Sequence, residues 1–175
     1  MKDMFRLGAA SADPPVAGQL APTFTLPSQD GSPVSLAQFR SQWVLLYFYP
    51  KDNTTGCTIE AHNFQRDLAN YEGLNAVVLG VSLDSQHNHQ DFCAKQGLTF
   101  KLLSDTAGRV SAQYGSLRSI LGFKMAARNS FLIDPAGQIA NVWLGVSPAS
   151  HSAEVLAVLK EHSLKQSTAA HPPPL

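Results

Sequence analysis

The sequence predicts an α/β fold in which a mixed central sheet is flanked by helices, and three observations carry this expectation. Apolar runs of strand length, such as "WVLLYFY" at Trp43–Tyr49, alternate with segments whose apolar residues recur every three or four positions. The runs Ser130–Asp134 and Ile139–Leu144 are separated by "DPAGQ", Asp134 to Gln138, a Pro-then-Gly turn that pairs them as an antiparallel hairpin. At 175 residues, with 44% hydrophobic and 15% charged, the chain has the size and composition of one globular domain.

Taken in order, residues 1–16 are rich in Ala, Gly and Pro and read as a flexible extension. Asp3 and Arg6 interrupt the apolar core that a signal peptide needs. The folded body is placed at 17–164. Its strands are Trp43–Tyr49, Ala76–Ser82, Ser130–Asp134 and Ile139–Leu144. A helix after Cys57 presents Ala61, Phe64, Leu68 and Tyr71 on one face and is stopped by Gly73. A second helix, Ser85–Gln96, has Asp84 or Ser85 as N-cap and Gly97 just past its end. A terminal helix, about Ser152–His162, turns Val155, Leu156 and Leu159 inward. Residues 165–175 end in "HPPPL" and read as a disordered tail.

Composition removes several function classes. The formal net charge is zero and no run of Lys or Arg stands out, so neither nucleic acid nor a membrane surface is expected as a partner. No apolar stretch is long enough to span a bilayer, and a cytoplasmic location is expected. Two cysteines, Cys57 and Cys93, are too few for a secreted disulfide framework, and they form no C-x-x-C pair.

Cys57 falls in the first turn of a helix that follows a buried strand, within "KDNTTGCTIEAH". Unpaired backbone N–H groups and the positive end of the helix dipole face such a position and favour thiolate. A buried cysteine can equally be a small apolar residue, but Thr54, Thr55, Gly56 and Thr58 make this neighbourhood polar. Glu60 opposes thiolate, so the chemistry requires a cation from elsewhere in the chain.

The segment "YFYPKDNTTGCTIEA", Tyr47 to Ala61, resembles the active-site signature of the peroxiredoxins, in which P-x-x-x-T-x-x-C is met by Pro50, Thr54 and Cys57. Within that family it is most similar to the PrxQ, or bacterioferritin comigratory protein, branch. "GQLAPTFTLPSQDGSPVSLAQF", "GVSLDS" and "ARNSFLIDPAGQI" extend the resemblance over about residues 17–162. The resemblance implies a thioredoxin-like fold and a thiol peroxidase acting on hydrogen peroxide and organic hydroperoxides without metal or organic cofactor. It also implies roles for individual residues. Cys57 is the peroxidatic nucleophile, Arg128 of "ARNSFLID" is the missing cation, Thr54 orients the peroxide and Pro50 shields the sulfur, with Gly56 and Glu60 in support.

Many members of the branch carry a resolving cysteine five positions after the peroxidatic one, where this chain has His62. Others place it in the next helix, and Cys93 of "QDFCAKQGL" matches that variant. The resemblance thus implies an intramolecular disulfide, reopened by thioredoxin or glutaredoxin, in a monomer. Thr55 stands where relatives have proline. Because two cysteines on separate helices start farther apart than a disulfide allows, one of the two helices is expected to unwind locally before the bond forms.

Two readings compete with it. In the first, Cys93 is only structural, leaving a one-cysteine peroxidase recycled by an external thiol. Alternatively His87, His89 and Cys93 of "HNHQDFC" bind zinc, against the plainer reading that both histidines sit on a solvated helix start. Phe123 and Met125 are candidates for the outer wall of the substrate pocket, and His151 for a helix-start residue.

Overall fold

The computed structural model of the chain describes residues 11–170; the first ten residues of the expected extension and the prolines of the expected tail lie outside them. A five-stranded sheet runs through the centre in the order β5-β4-β3-β8-β9, built from Lys101–Ser104, Ala76–Ser82, Trp43–Phe48, Ser130–Ile133 and Ile139–Trp143. Strands β3, β4 and β5 are parallel, whereas β8 runs antiparallel to β3, and β9 to β8. The sheet is therefore mixed, as expected.

All six residues of β3 are buried. An unbroken apolar run is what a strand covered on both faces requires. Trp43, Leu45, Tyr47 and the following Tyr49 point into one core with Cys57, Phe64, Tyr71, Phe92, Cys93 and Leu159. Val44, Leu46 and Phe48 point into the other with Leu79, Leu103, Tyr114 and Phe131. The first core is roofed by α1 (Thr55–Gly73), α2 (Gln86–Gln96) and α4 (His151–Ala170). The second is closed by the short helix α3 (Arg109–Gln113) and the β1–β2 ribbon (Thr25–Pro27 with Pro33–Ser35). Strands β6 (Leu117–Ile120) and β7 (Phe123–Ala126) form a separate hairpin.

Helix α2 follows its end signals. The Ser85 hydroxyl accepts the Asn88 N–H at 3.2 Å, and Gly97 closes the helix in the left-handed region at φ 67°. Elsewhere the boundaries move. Gly73 is the last residue of α1 rather than its stop, and the left-handed turn is made by Asn75 at φ 57°, a residue that tolerates that region. Helix α4 continues past Leu164 to Ala170, because the tail prolines begin only at Pro172 and exclude helix only near themselves. The expected boundary at 17 also falls inside ordered chain, since the Ala12 N–H donates to the Ala112 carbonyl at 3.0 Å.

Gly80 of β4 lies between Tyr47 of β3 and Leu102 of β5. A Cβ there would stand 2.7 Å from Leu102 Cδ2 and 2.9 Å from Tyr47 Cζ. Gly80→Ala is expected to destabilise the fold by about 1–3 kcal/mol, the ordinary cost of overpacking a filled core. Urea unfolding measures it as a lower midpoint at unchanged slope.

Candidate active site

The site forms where β3 ends and α1 begins. Thr54 is the N-cap of α1 with extended backbone, and the helical ladder opens with the Thr58 N–H donating to the Thr54 carbonyl at 2.9 Å. The amides before Thr58 belong to the helix start that lacks intrahelical partners, and no acidic residue occupies this first turn. Cys57 sits there with 2% of its surface exposed, so only a small group reaches its sulfur.

Arg128 closes the site from the sheet. It precedes β8, the antiparallel neighbour of β3, which carries its side chain back over the start of α1. Its Nη2 donates to Cys57 Sγ at 3.4 Å and its Nη1 to Glu60 Oε1 at 3.0 Å. Burial pulls the Arg128 guanidinium down, but the charges of Cys57 and Glu60 outweigh burial and hold it above its ordinary value. Gly56 makes the approach possible: a Cβ at this position would stand 3.1 Å from Arg128 Nη2. The backbone is fixed as well, with the Val146 N–H on the Arg128 carbonyl at 3.0 Å and the Phe48 N–H on the Asn129 carbonyl at 2.8 Å. The Asn129 side chain ties this turn to Ser116 and to the Gly145 N–H.

Glu60, read from sequence as an opponent of the thiolate, is largely answered by its bond to Arg128. Its Oε2 has no hydrogen-bond partner among the described residues. Burial pushes its carboxyl up to about 7 in spite of Arg128.

The other expected site residues are placed unevenly. Thr54 is exposed, and its hydroxyl donates to the Lys51 carbonyl at 2.8 Å, which leaves oxygen lone pairs to accept a further proton. Pro50 and Thr54 line a cleft of about 480 Å³ with Leu83, Phe123 and Met125. Cys93 lies in the same core as Cys57, and burial, then the charge of Asp52, pushes its thiol up to about 12. His62, on α1, is exposed.

The structure does not assemble His87, His89 and Cys93. His87 is solvated and pairs with Asp91 at 3.3 Å, one turn along α2. His89, expected on a solvated helix start, is instead fully buried, with Nδ1 2.7 Å from Asp52 Oδ2 and Nε2 donating to the Leu103 carbonyl at 3.0 Å. A histidine whose ring nitrogens are both engaged offers no lone pair to zinc. His151 is the first residue of α4 and is also buried. Its Nε2 lies 2.7 Å from Ser130 Oγ, and burial lowers it to about 4, so it is neutral at pH 7.

Sequence reasoning missed Asn129, Tyr49 and Asp52. Asp52 lay within the quoted segment, but a single aspartate after proline reads as a turn residue.

Residues 17–142 match the model of the AhpC/TSA family. The chain belongs to that family. It is similar to the peroxiredoxin Bcp of Escherichia coli K12, with 39% identity over 155 residues covering 86% of this chain and 99% of that protein. A mutant PrxQ of Xylella fastidiosa superposes with a TM-score of 0.82 at 35% identity, covering 87% of this chain and 99% of the other. A bacterioferritin comigratory protein of Xanthomonas campestris, studied for its alkyl peroxide reduction activity, superposes with a TM-score of 0.78 at 34% identity, covering 84% and 99%. This AhpC/TSA protein is accordingly a peroxiredoxin with a thioredoxin-like fold, and its enzyme class is thiol-dependent peroxidase.

Glu60 gives this peroxiredoxin a readable pH dependence. A carboxyl whose folded value is raised contributes stability that is fully present below its unfolded value and lost as pH rises through the folded one. Between pH 5 and 8 the wild type should therefore lose roughly 1–3 kcal/mol relative to Glu60→Gln. Urea unfolding at both pH values measures this, and parallel profiles for the two proteins would refute it.

Proposed function

We propose that this peroxiredoxin reduces hydrogen peroxide and organic hydroperoxides with Cys57 as nucleophile and Cys93 as resolving thiol. The observation that carries the reading is the Arg128 guanidinium 3.4 Å from a cysteine sulfur at a helix N-terminus. The Cys57 thiolate attacks the terminal peroxide oxygen; an S–O bond forms, the O–O bond breaks, and the electron pair leaves on the alkoxide or hydroxide. Arg128 and the first-turn amides of α1 stabilise that departing charge, and Thr54 orients the peroxide through its hydroxyl. Pro50 shields the sulfur. No metal or organic cofactor enters any step.

The product is a sulfenic acid on Cys57. Cys93, as thiolate, attacks that sulfur, the S–S bond forms and hydroxide leaves. Raised to about 12, Cys93 is thiolate in only on the order of one part in 10⁵ at pH 7. Its buried resting place therefore supports the reading that α2 or the first turn of α1 opens before resolution. A reduced dithiol protein of the thioredoxin type, or glutaredoxin, then exchanges with the disulfide. We place the enzyme in a reducing compartment, the cytoplasm, acting as a monomer.

One equivalent of hydrogen peroxide added to the reduced protein tests the scheme by thiol count and intact mass. Wild type should lose both thiols as an internal disulfide, Cys93→Ser should gain oxygen, and Cys57→Ser should not react. Wild type that merely gains oxygen would instead make Cys93 structural and the enzyme a one-cysteine peroxidase. Arg128→Met should slow Cys57 oxidation by about 10²-fold or more, the scale of losing one preorganised donor; stopped-flow fluorescence follows the rate.

A further inference from the structure

A second polar cluster lies beneath the site, inside the core that holds both cysteines. The Tyr49 hydroxyl donates to Asp52 Oδ1 at 2.6 Å, and Asp52 Oδ2 lies 2.7 Å from His89 Nδ1. His89 Nε2 donates to the Leu103 carbonyl of β5 at 3.0 Å. From the other side the Asp52 N–H donates to Asp84 Oδ2 at 2.9 Å, and Asp84 is held by the Ser82 hydroxyl at 2.6 Å. Tyr49, Asp52 and His89 are each at most 5% exposed.

These bonds join three elements. Tyr49 directly follows β3, Asp52 lies in the loop that leads to Cys57, and His89 is one turn before Cys93 on the buried face of α2. Both ring nitrogens of His89 face oxygen acceptors, so one proton is held between Nδ1 and Oδ2, a short charge-assisted bond out of water. Desolvation, reinforced by Asp52, raises the Tyr49 hydroxyl well above its ordinary value and keeps it a donor.

We propose that Tyr49, Asp52 and His89 form a latch that fastens α2 to the loop preceding Cys57, and that its release sets the rate at which Cys93 reaches oxidised Cys57. They are positioning residues for the resolution step, in which the Cys93 thiolate forms the S–S bond and the sulfenic oxygen leaves as hydroxide. The proposal rests on Cys93 being the resolving thiol. Two facts favour a latch over simple core support. The cluster ties together the two segments of which one must open before the disulfide forms, and the Asp52 charge contributes to holding Cys93 as an unreactive thiol. Opening the cluster frees the helix and solvates its cysteine together.

The test measures Cys93 availability without requiring turnover. In a Cys57→Ser background, Cys93 is alkylated with iodoacetamide across a series of sub-denaturing urea concentrations. Tyr49→Phe deletes one oxygen and keeps the ring that packs on Tyr47 at 5.5 Å between centroids. It should speed alkylation on the order of tenfold, the factor carried by one hydrogen bond to a charged group. The urea dependence should be shallow, as local opening requires. His89→Leu should speed it further, with its unfolding midpoint measured alongside because it leaves Asp52 buried without its partner. In otherwise wild-type protein given hydrogen peroxide, Tyr49→Phe should form the disulfide faster by a similar factor.

Alkylation rates unchanged in Tyr49→Phe and in folded His89→Leu overturn the latch. Rates that rise only with the steep urea dependence of global unfolding also overturn it, since the cluster is then general core support. A wild type that forms no Cys57–Cys93 disulfide refutes the resolving role instead, and the alkylation rates still decide whether α2 is latched.

Discussion

The site depends on one guanidinium shared between two acidic groups. Arg128 reaches the Cys57 sulfur with one nitrogen and the Glu60 carboxylate with another, and both partners are almost fully buried. A charge so placed is held by geometry rather than by solvent, and it acts on the sulfur through a medium that screens little. Much of the local architecture serves that contact. Antiparallel β8 returns the chain beside β3, Asn129 pins the turn, and Gly56 leaves room for the planar group to lie against the helix start.

The two cysteines of this peroxiredoxin share a core but not an environment. Cys57 meets the open amides of a helix start and a cation. Cys93 meets apolar side chains and, through space, the negative charge of Asp52. Position alone gives two thiols of one core different surroundings, one beside a cation and one beside a carboxylate. Buried polar groups are costly unless fully paired, which explains why Tyr49, Asp52, His89 and Asp84 appear as one connected set rather than singly.

The strands and helices legible in the sequence were those with a long period. β3, β4, the β8–β9 hairpin and α1 each carry a recognisable apolar pattern, and α2 was marked by the chemistry of its ends, Ser85 and Gly97. β5 was missed because "KLLS" is four residues with no alternation to read, and β6 and β7 because each is four residues long and largely exposed, with apolar and polar residues on both faces. His89 was misjudged for a related reason. "QHNHQD" has the composition of a solvated helix start, and partners arriving from other segments, Asp52 and the Leu103 carbonyl, satisfy the ring nitrogens that burial takes from water.

By itself the sequence determined the class of the fold and the helix start that presents Cys57, because both are written in local spacing and residue type, whereas Pro50, Thr54 and Arg128 stood out as a set only through the family resemblance. Tertiary structure alone decided which atom each Arg128 nitrogen meets, that Glu60 is held by a cation instead of opposing the sulfur freely, and that His89 faces inward. Those are contacts between segments distant along the chain, and their geometry is fixed by strand order and register, which a single sequence encodes only through the fold it adopts.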